Sequence, residues 1–208
     1  MIVALLLVMP ISLSSQFSGL VPPANVTVRY YKMSVRTEQF RAAQTLAARI
    51  LVAAGVRVLW LQCWSDGWDG TPSPAECEHP LSATELILHI VRAVDATSSN
   101  DPQPLGSALI DRQAGAGTVA MVYANRVARL ALDARADGDA LLGRVIAHEI
   151  GHLLMGTNQH AAGGLMRGFW SLAELRQNRR RDWMFSEHEA LTMRSAIDVR
   201  GMNRGPEK

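Results

Sequence analysis

The sequence predicts an α+β chain: a mixed, mostly parallel twisted sheet, one long helix beneath it, and a helical C-terminal part. Three observations carry this. A strand, a helix and a second strand follow one another between Val26 and Leu61. Such a unit closes as a right-handed crossover between parallel strands. More strand-like segments come in series up to Tyr123, and from Asp137 the pattern is helical.

The elements read as follows. Val26–Tyr31 (VTVRYY) is β-branched and alternating, a strand. Thr37–Ala54 is Ala-rich, with Phe40, Ala43, Leu46, Ala47, Ile50 and Leu51 at helical spacing. Thr37 is the expected N-cap and Gly55 the expected stop. Val56–Leu61 (VRVLWL) is a second strand. The segment from Gln62 to Pro80 is a loop, in which Trp64 and Trp68 either line a groove or pack under the loop itself. Leu86–Val94 is a strand, with His89 alternating among apolar neighbours in a structural role. Asn100–Pro104 is a turn. Leu105–Ile110 and Thr118–Tyr123 are strands joined through the Gly-rich Ala114–Gly117. From Asp137, a helix buries Leu141, Val145, Ile146, Ile150, Leu153 and Leu154, and ends at Gly156 and Thr157. The part from Ser171 onward is helical and charged, and Ser186–Glu189 has the form of a capping box that leaves His188 on the surface of a helix start.

The chain has 208 residues, of which 48% are hydrophobic and 19% charged, enough for one packed domain and too few charges for wholesale disorder. The net charge is only +2, and the densest basic run, Arg179–Arg181, reads as the solvated face of a helix. No basic patch interleaved with aromatics argues for nucleic acid. Met1–Leu13 (MIVALLLVMPISL) is apolar, too short for an ordinary membrane span and interrupted by Pro10. Residues 1–16 are therefore expected to be a signal peptide, or an N-terminal anchor tethering the chain to a membrane; a first core strand is the bland alternative. Residues 17–208 form the single domain. The expected location is extracytoplasmic: secreted, periplasmic or membrane-anchored. In that setting Cys63 and Cys77, the two cysteines, are expected to form one disulfide.

The chemistry is concentrated in His148–Glu149–Ile150–Gly151–His152. Residues four apart on a helix share one face, so two imidazoles can bind one metal ion. Glu149 stands beside the first and can reach a water on the metal without binding the metal itself. Zinc suits such a set, because it accepts tetrahedral coordination with one position open to water. Glu149 is then the general base. A third protein ligand is needed, and Gly156 lets the chain turn back to bring His160. Glu174, further downstream, is the rival third ligand, of the type used by gluzincins.

The stretch HEIGHLLMGTNQHAAGGLM resembles the metzincin clan of zinc peptidases, and its matrixin-type members most. The resemblance spans about twenty residues. It implies that His148, His152 and His160 hold Zn2+, that Glu149 activates water, and that Met166 is the residue of a Met-turn beneath the metal. The Gly stands one residue later, and His160 two residues later, than in the usual HExxHxxGxxH pattern, while the interval from His148 to Met166 equals the matrixin one. The implied activity is peptide-bond hydrolysis, on a peptide or protein substrate, by a monomer. A non-catalytic, zinc-stabilised binding domain is the alternative from another class, although it gives Glu149 no task. The clan's fold further implies that Thr118–Tyr123 lies near the edge strand that pairs with extended peptides.

Overall fold

The computed structural model describes residues 23–32, 35–63, 73–94 and 103–202. The expected signal or anchor segment, Trp64 and Trp68 lie outside them.

The β-branched run becomes β1 (Ala24–Lys32), the Ala-rich segment α1 (Thr37–Ala53), and the next apolar run β2 (Val56–Gln62). Strand β3 (Glu85–Val91), the hairpin of β4 (Gly106–Asp111) and β5 (Ala116–Tyr123), five α-helices counting α1, and two short 3-10 turns complete the elements of the described residues. The helices that follow are α2 (Ala124–Ala134), α3 (Gly138–Met155), α4 (Leu172–Gln177) and α5 (Glu187–Met202). Strand order is β2-β1-β3-β5-β4. The first four strands in that order run parallel, and β4 pairs antiparallel with β5 at the edge. The sheet is thus mixed and mostly parallel, as its sequence pattern predicts. Strand β5 sits one place in from the edge, and β4 is the edge itself.

Period-two alternation turns Val26, Val28, Leu86, Leu88 and Ile90 to one face, where all are buried. Helices α1 and α3 pack together on that face. Gly143 permits their close approach, since a Cβ there would fall 2.6 Å from the carbonyl oxygen of Ala43. Helix α3 is buried continuously from Leu141 to Leu154, charged residues included. A helix enclosed on all sides is a central element, and its polar residues must find partners or do work.

Buried on β1, Arg29 donates to both carboxylate oxygens of Glu85 at 3.0 and 2.9 Å and to the carbonyls of Cys77 and His79. It thereby ties the segment before β3 to the sheet. Cys63 and Cys77 form the expected disulfide, with Cα atoms 5.8 Å apart. His89 stacks on Tyr31 with ring centroids 4.9 Å apart, and its expected structural role holds.

Two local expectations change. Thr37 is the first helical residue of α1, not its N-cap; Arg36 takes the cap position without a side-chain bond, and the Thr37 hydroxyl accepts from Lys32 Nζ at 2.8 Å. Gly55 does end the helix, at φ +80. Helix α2 has no counterpart in the sequence reading. It starts directly at the end of β5, with no side-chain cap to announce it. Its inward stripe of Val127, Ala131 and Ala134 is mostly alanine, a weak hydrophobic signal. Helix α3, by contrast, opens as expected, with Asp137 Oδ1 accepting from the backbone of Asp139 and Ala140.

Candidate metal centre

The four-residue spacing places His148 and His152 one turn apart on α3, both buried. At Gly156 the helix stops in the left-handed region, φ +66. A Cβ there would lie 1.9 Å from the carbonyl oxygen of Gly115, in the β4–β5 turn, so only glycine fits. The chain then doubles back and presents His160. The ring nitrogens of His148, His152 and His160 all lie within 4.8 Å of one another.

Each buried imidazole is oriented by the backbone. His148 Nδ1 donates to the Leu165 carbonyl at 2.9 Å and His152 Nδ1 to the Thr157 carbonyl at 2.7 Å. A carbonyl can only accept, so the proton of each neutral ring sits on Nδ1 and its Nε2 bears a lone pair. His152 Nε2 is 3.0 Å from His148 Nε2 and 3.3 Å from His160 Nε2. Lone pairs aimed at one point repel unless a cation shares them. Nitrogens bound tetrahedrally to one zinc ion stand about 3.3 Å apart. The donor set therefore fits a metal, and its backbone acceptors are the partners that fix ligand tautomer and direction. Burial above all, with the nearby His152 and His160, pushes the His148 pKa down to about 3. Burial lowers that of His152 as well. Both rings are thus held neutral, as ligands must be.

Met166 is buried, and its Sδ would meet a Cβ on Gly151 at 3.0 Å, so it packs against α3 at Gly151. The amide of Ala161 donates to the Met166 carbonyl at 2.9 Å, closing the turn that follows His160.

Glu149 is 5% exposed, and burial pushes its pKa up to about 8. Its Oε2 is buried with no hydrogen-bond partner. The carboxylate lies against Gly106 of the edge strand, where a Cβ would come within 2.5 Å of Oε1 and 2.7 Å of Cδ. Sequence reasoning missed Gly106. A glycine inside a strand pattern is nevertheless a signal of close approach. Trp170 was missed too: it packs edge-on to His148 at 5.7 Å and to Trp183 at 5.4 Å. Trp183 in turn carries the Arg144 guanidinium over its face at 4.0 Å.

Glu174 does not join the cluster. It forms the capping box of α4 with Ser171 and pairs with Arg167. Both carboxylate oxygens are engaged, Oε2 with the Ser171 amide at 2.8 Å and hydroxyl at 2.7 Å, Oε1 with Arg167. Ser186 and Glu189 make the predicted capping box of α5.

A cleft of about 980 Å3 opens over the site. Its walls are the first half of β4, one face of α2, and the segment from Asn158 to Trp170.

No protein-family model and no curated protein matches the chain. Several solved structures resemble it, among them the following two. Archaemetzincin from Methanopyrus kandleri superposes with a TM-score of 0.53 at 16% identity, over 86% of this chain and 99% of that one. A zinc-dependent peptidase from Methanocorpusculum labreanum superposes with a TM-score of 0.48 at 18% identity, over 80% and 99%. The first likeness establishes the fold: this chain has the architecture of archaemetzincin.

Proposed function

We propose that the chain is a zinc-dependent peptidase in which His148, His152 and His160 hold the metal and Glu149 is the general base. One observation carries the reading: three imidazole nitrogens converge on one point, beside a buried carboxylate oxygen that has no partner. The name of the first similar structure, archaemetzincin, agrees with it. Zinc held there by the three histidines would supply a Lewis acid that makes water a better nucleophile. Glu149 takes a proton from the attacking water and passes it to the leaving amine. The unpaired Oε2 is what such a base needs, since a fully bonded carboxylate would have no lone pair to offer. The lack of a side chain at Gly106 leaves room for the base against the edge strand. An extended peptide adds to β4 as a further strand, its backbone paired with the open edge and its side chains in the cleft. The loop length from His148 to Met166 is of the matrixin type.

The extracytoplasmic location and monomeric state are part of the same proposal. The Cys63–Cys77 disulfide and the apolar N-terminal run support an oxidising compartment. Among the described residues no helix is long and apolar enough to cross a membrane, so a tether would rest on the N-terminal run.

Zinc per chain and casein hydrolysis, measured together, test the reading. Wild type should hold one zinc. His160→Ala should lose both metal and activity, whereas Glu174→Ala should keep both. Glu149→Gln should retain zinc and lose roughly 10²- to 10⁴-fold in rate. A zinc-loaded wild type with no hydrolysis would point to a zinc-stabilised binding domain. A wild type that binds no zinc refutes the proposal outright.

A further inference from the structure

We infer that Trp170 is a positioning residue for the metal ligand His148, backed by a buried row of side chains along α3; this rests on the zinc reading above. Arg144 and His148 stand four residues apart on α3, so their side chains share one face of the helix. Two tryptophans from beyond the helix lie along that face in the same order. The Arg144 guanidinium lies over the Trp183 ring at 4.0 Å. Trp183 meets Trp170 at 5.4 Å with the two planes 87° apart, and Trp170 meets His148 at 5.7 Å with the planes 90° apart. All four residues are buried.

The tryptophan supplies what the hydrogen bond of His148 leaves open. The bond from Nδ1 to the Leu165 carbonyl, at 2.9 Å, restrains one atom of the ring. A carbonyl accepts over a broad range of directions, so the ring can still tilt. A tilt swings Nε2 away from the point it shares with His152 and His160. A large flat side chain packed at right angles to the imidazole opposes that movement, and edge-to-face contact is a favoured geometry for aromatic rings. Trp170 does this only if it is itself held. Trp183 backs it, and two guanidinium groups lie against Trp183, Arg144 at 4.0 Å and Arg167 at 5.7 Å from the ring. Arg144 is anchored by donating to Asn178 Oδ1, and Arg167 by donating to the Gly164 carbonyl at 3.0 Å. Away from water, a guanidinium over an indole binds more strongly than at a surface. The row thus carries rigidity from the middle of α3 to the first ligand.

Zinc affinity, read on the full chain by competition with a chromophoric chelator, and the visible absorption of the Co2+-loaded chain test this. Trp170→Leu keeps an apolar side chain and removes the flat edge; zinc should bind at least about tenfold more weakly, and the Co2+ bands should shift. Trp170→Phe restores an aromatic edge and should bind zinc within about threefold of wild type. Trp183→Leu, one step removed from the ligand, should weaken zinc by an intermediate factor, and it carries the test if Trp170→Leu does not fold. Val26→Ala is the control for stability alone, since Val26 is buried on β1, which β3 and β5 separate from the edge strand. It should lower the melting temperature of the metal-free chain and leave zinc affinity and the Co2+ bands unchanged. Wild-type zinc affinity in Trp170→Leu or Trp183→Leu, a Phe variant as weak as the Leu variant, or an equal loss in Val26→Ala overturns the inference. Failure of the zinc reading shows separately, as a wild type that binds neither ion.

Discussion

Gly156→Ala probes the contact that turns the chain back to the metal. Two costs add at this residue. Its φ of +66 lies in the left-handed region, where an L side chain costs about 1–2 kcal/mol. The new Cβ would also lie 1.9 Å from the Gly115 oxygen and 2.4 Å from its carbonyl carbon. These are backbone atoms of a turn, so the hairpin or the helix end must move, an overpacking cost of about 1–3 kcal/mol. A loss of about 2–5 kcal/mol is expected, read as a fall in the urea midpoint at unchanged slope. The same shift displaces Thr157, whose carbonyl orients His152, so zinc should dissociate faster. Gly163→Ala is the control. It lies in the same loop, has nothing within 4 Å of its Cβ and is not among the positive-φ glycines; its effect should stay within about 0.5 kcal/mol. If Gly156→Ala costs no more than the control, the account of the helix stop is wrong.

Gly106→Ala should push the Glu149 carboxylate from its place, because three of its side-chain atoms lie within 2.7 Å of the new Cβ. The rate should fall at least about tenfold with zinc content unchanged; an unaltered rate would show that Glu149 needs no fixed position. Removing the Cys63–Cys77 bond, at a sequence separation of 14, should cost about 3 kcal/mol by loop entropy, checked by thermal melts with and without reductant. Acid should weaken the fold at Glu85. Burial raises its pKa, but the hydrogen bonds from Arg29 and the Ser82 backbone, with the Arg29 charge, outweigh this and lower it below the usual value of 4.5. A depressed folded-state pKa means that the stabilisation is complete above the unfolded value and is lost as pH falls through the folded one. Wild type should therefore lose more stability between pH 6 and pH 3 than Glu85→Gln does. Equal losses would show that the Arg29–Glu85 pair does not contribute to acid sensitivity.

Periodicity and spacing were enough for much of this protein. Alternation in Val26–Tyr31, helical spacing in Phe40–Leu51 and the glycine at 55 depend on neighbours along the chain, and such local patterns survive without knowledge of the fold. His148 and His152 share a face because a helix turns every 3.6 residues, whatever packs around it. The disulfide was legible from two cysteines in an oxidising context, and the α5 capping box from Ser186 and Glu189.

Only the tertiary structure decided the rest. Glu174 stands at a workable distance along the chain, yet Ser171 and Arg167 engage its carboxylate, and which partner a flexible side chain meets is a matter of packing. His160 reaches the metal point because Gly156 fits against Gly115, a contact between residues 41 positions apart. Gly106 meets Glu149 only once the edge strand lies over α3. Helix α2 stayed hidden because an alanine stripe buries little area by itself, and the surfaces that bury it come from α3 and α4. Contacts across long sequence separations have no period, and so they leave no pattern for a linear reading to find.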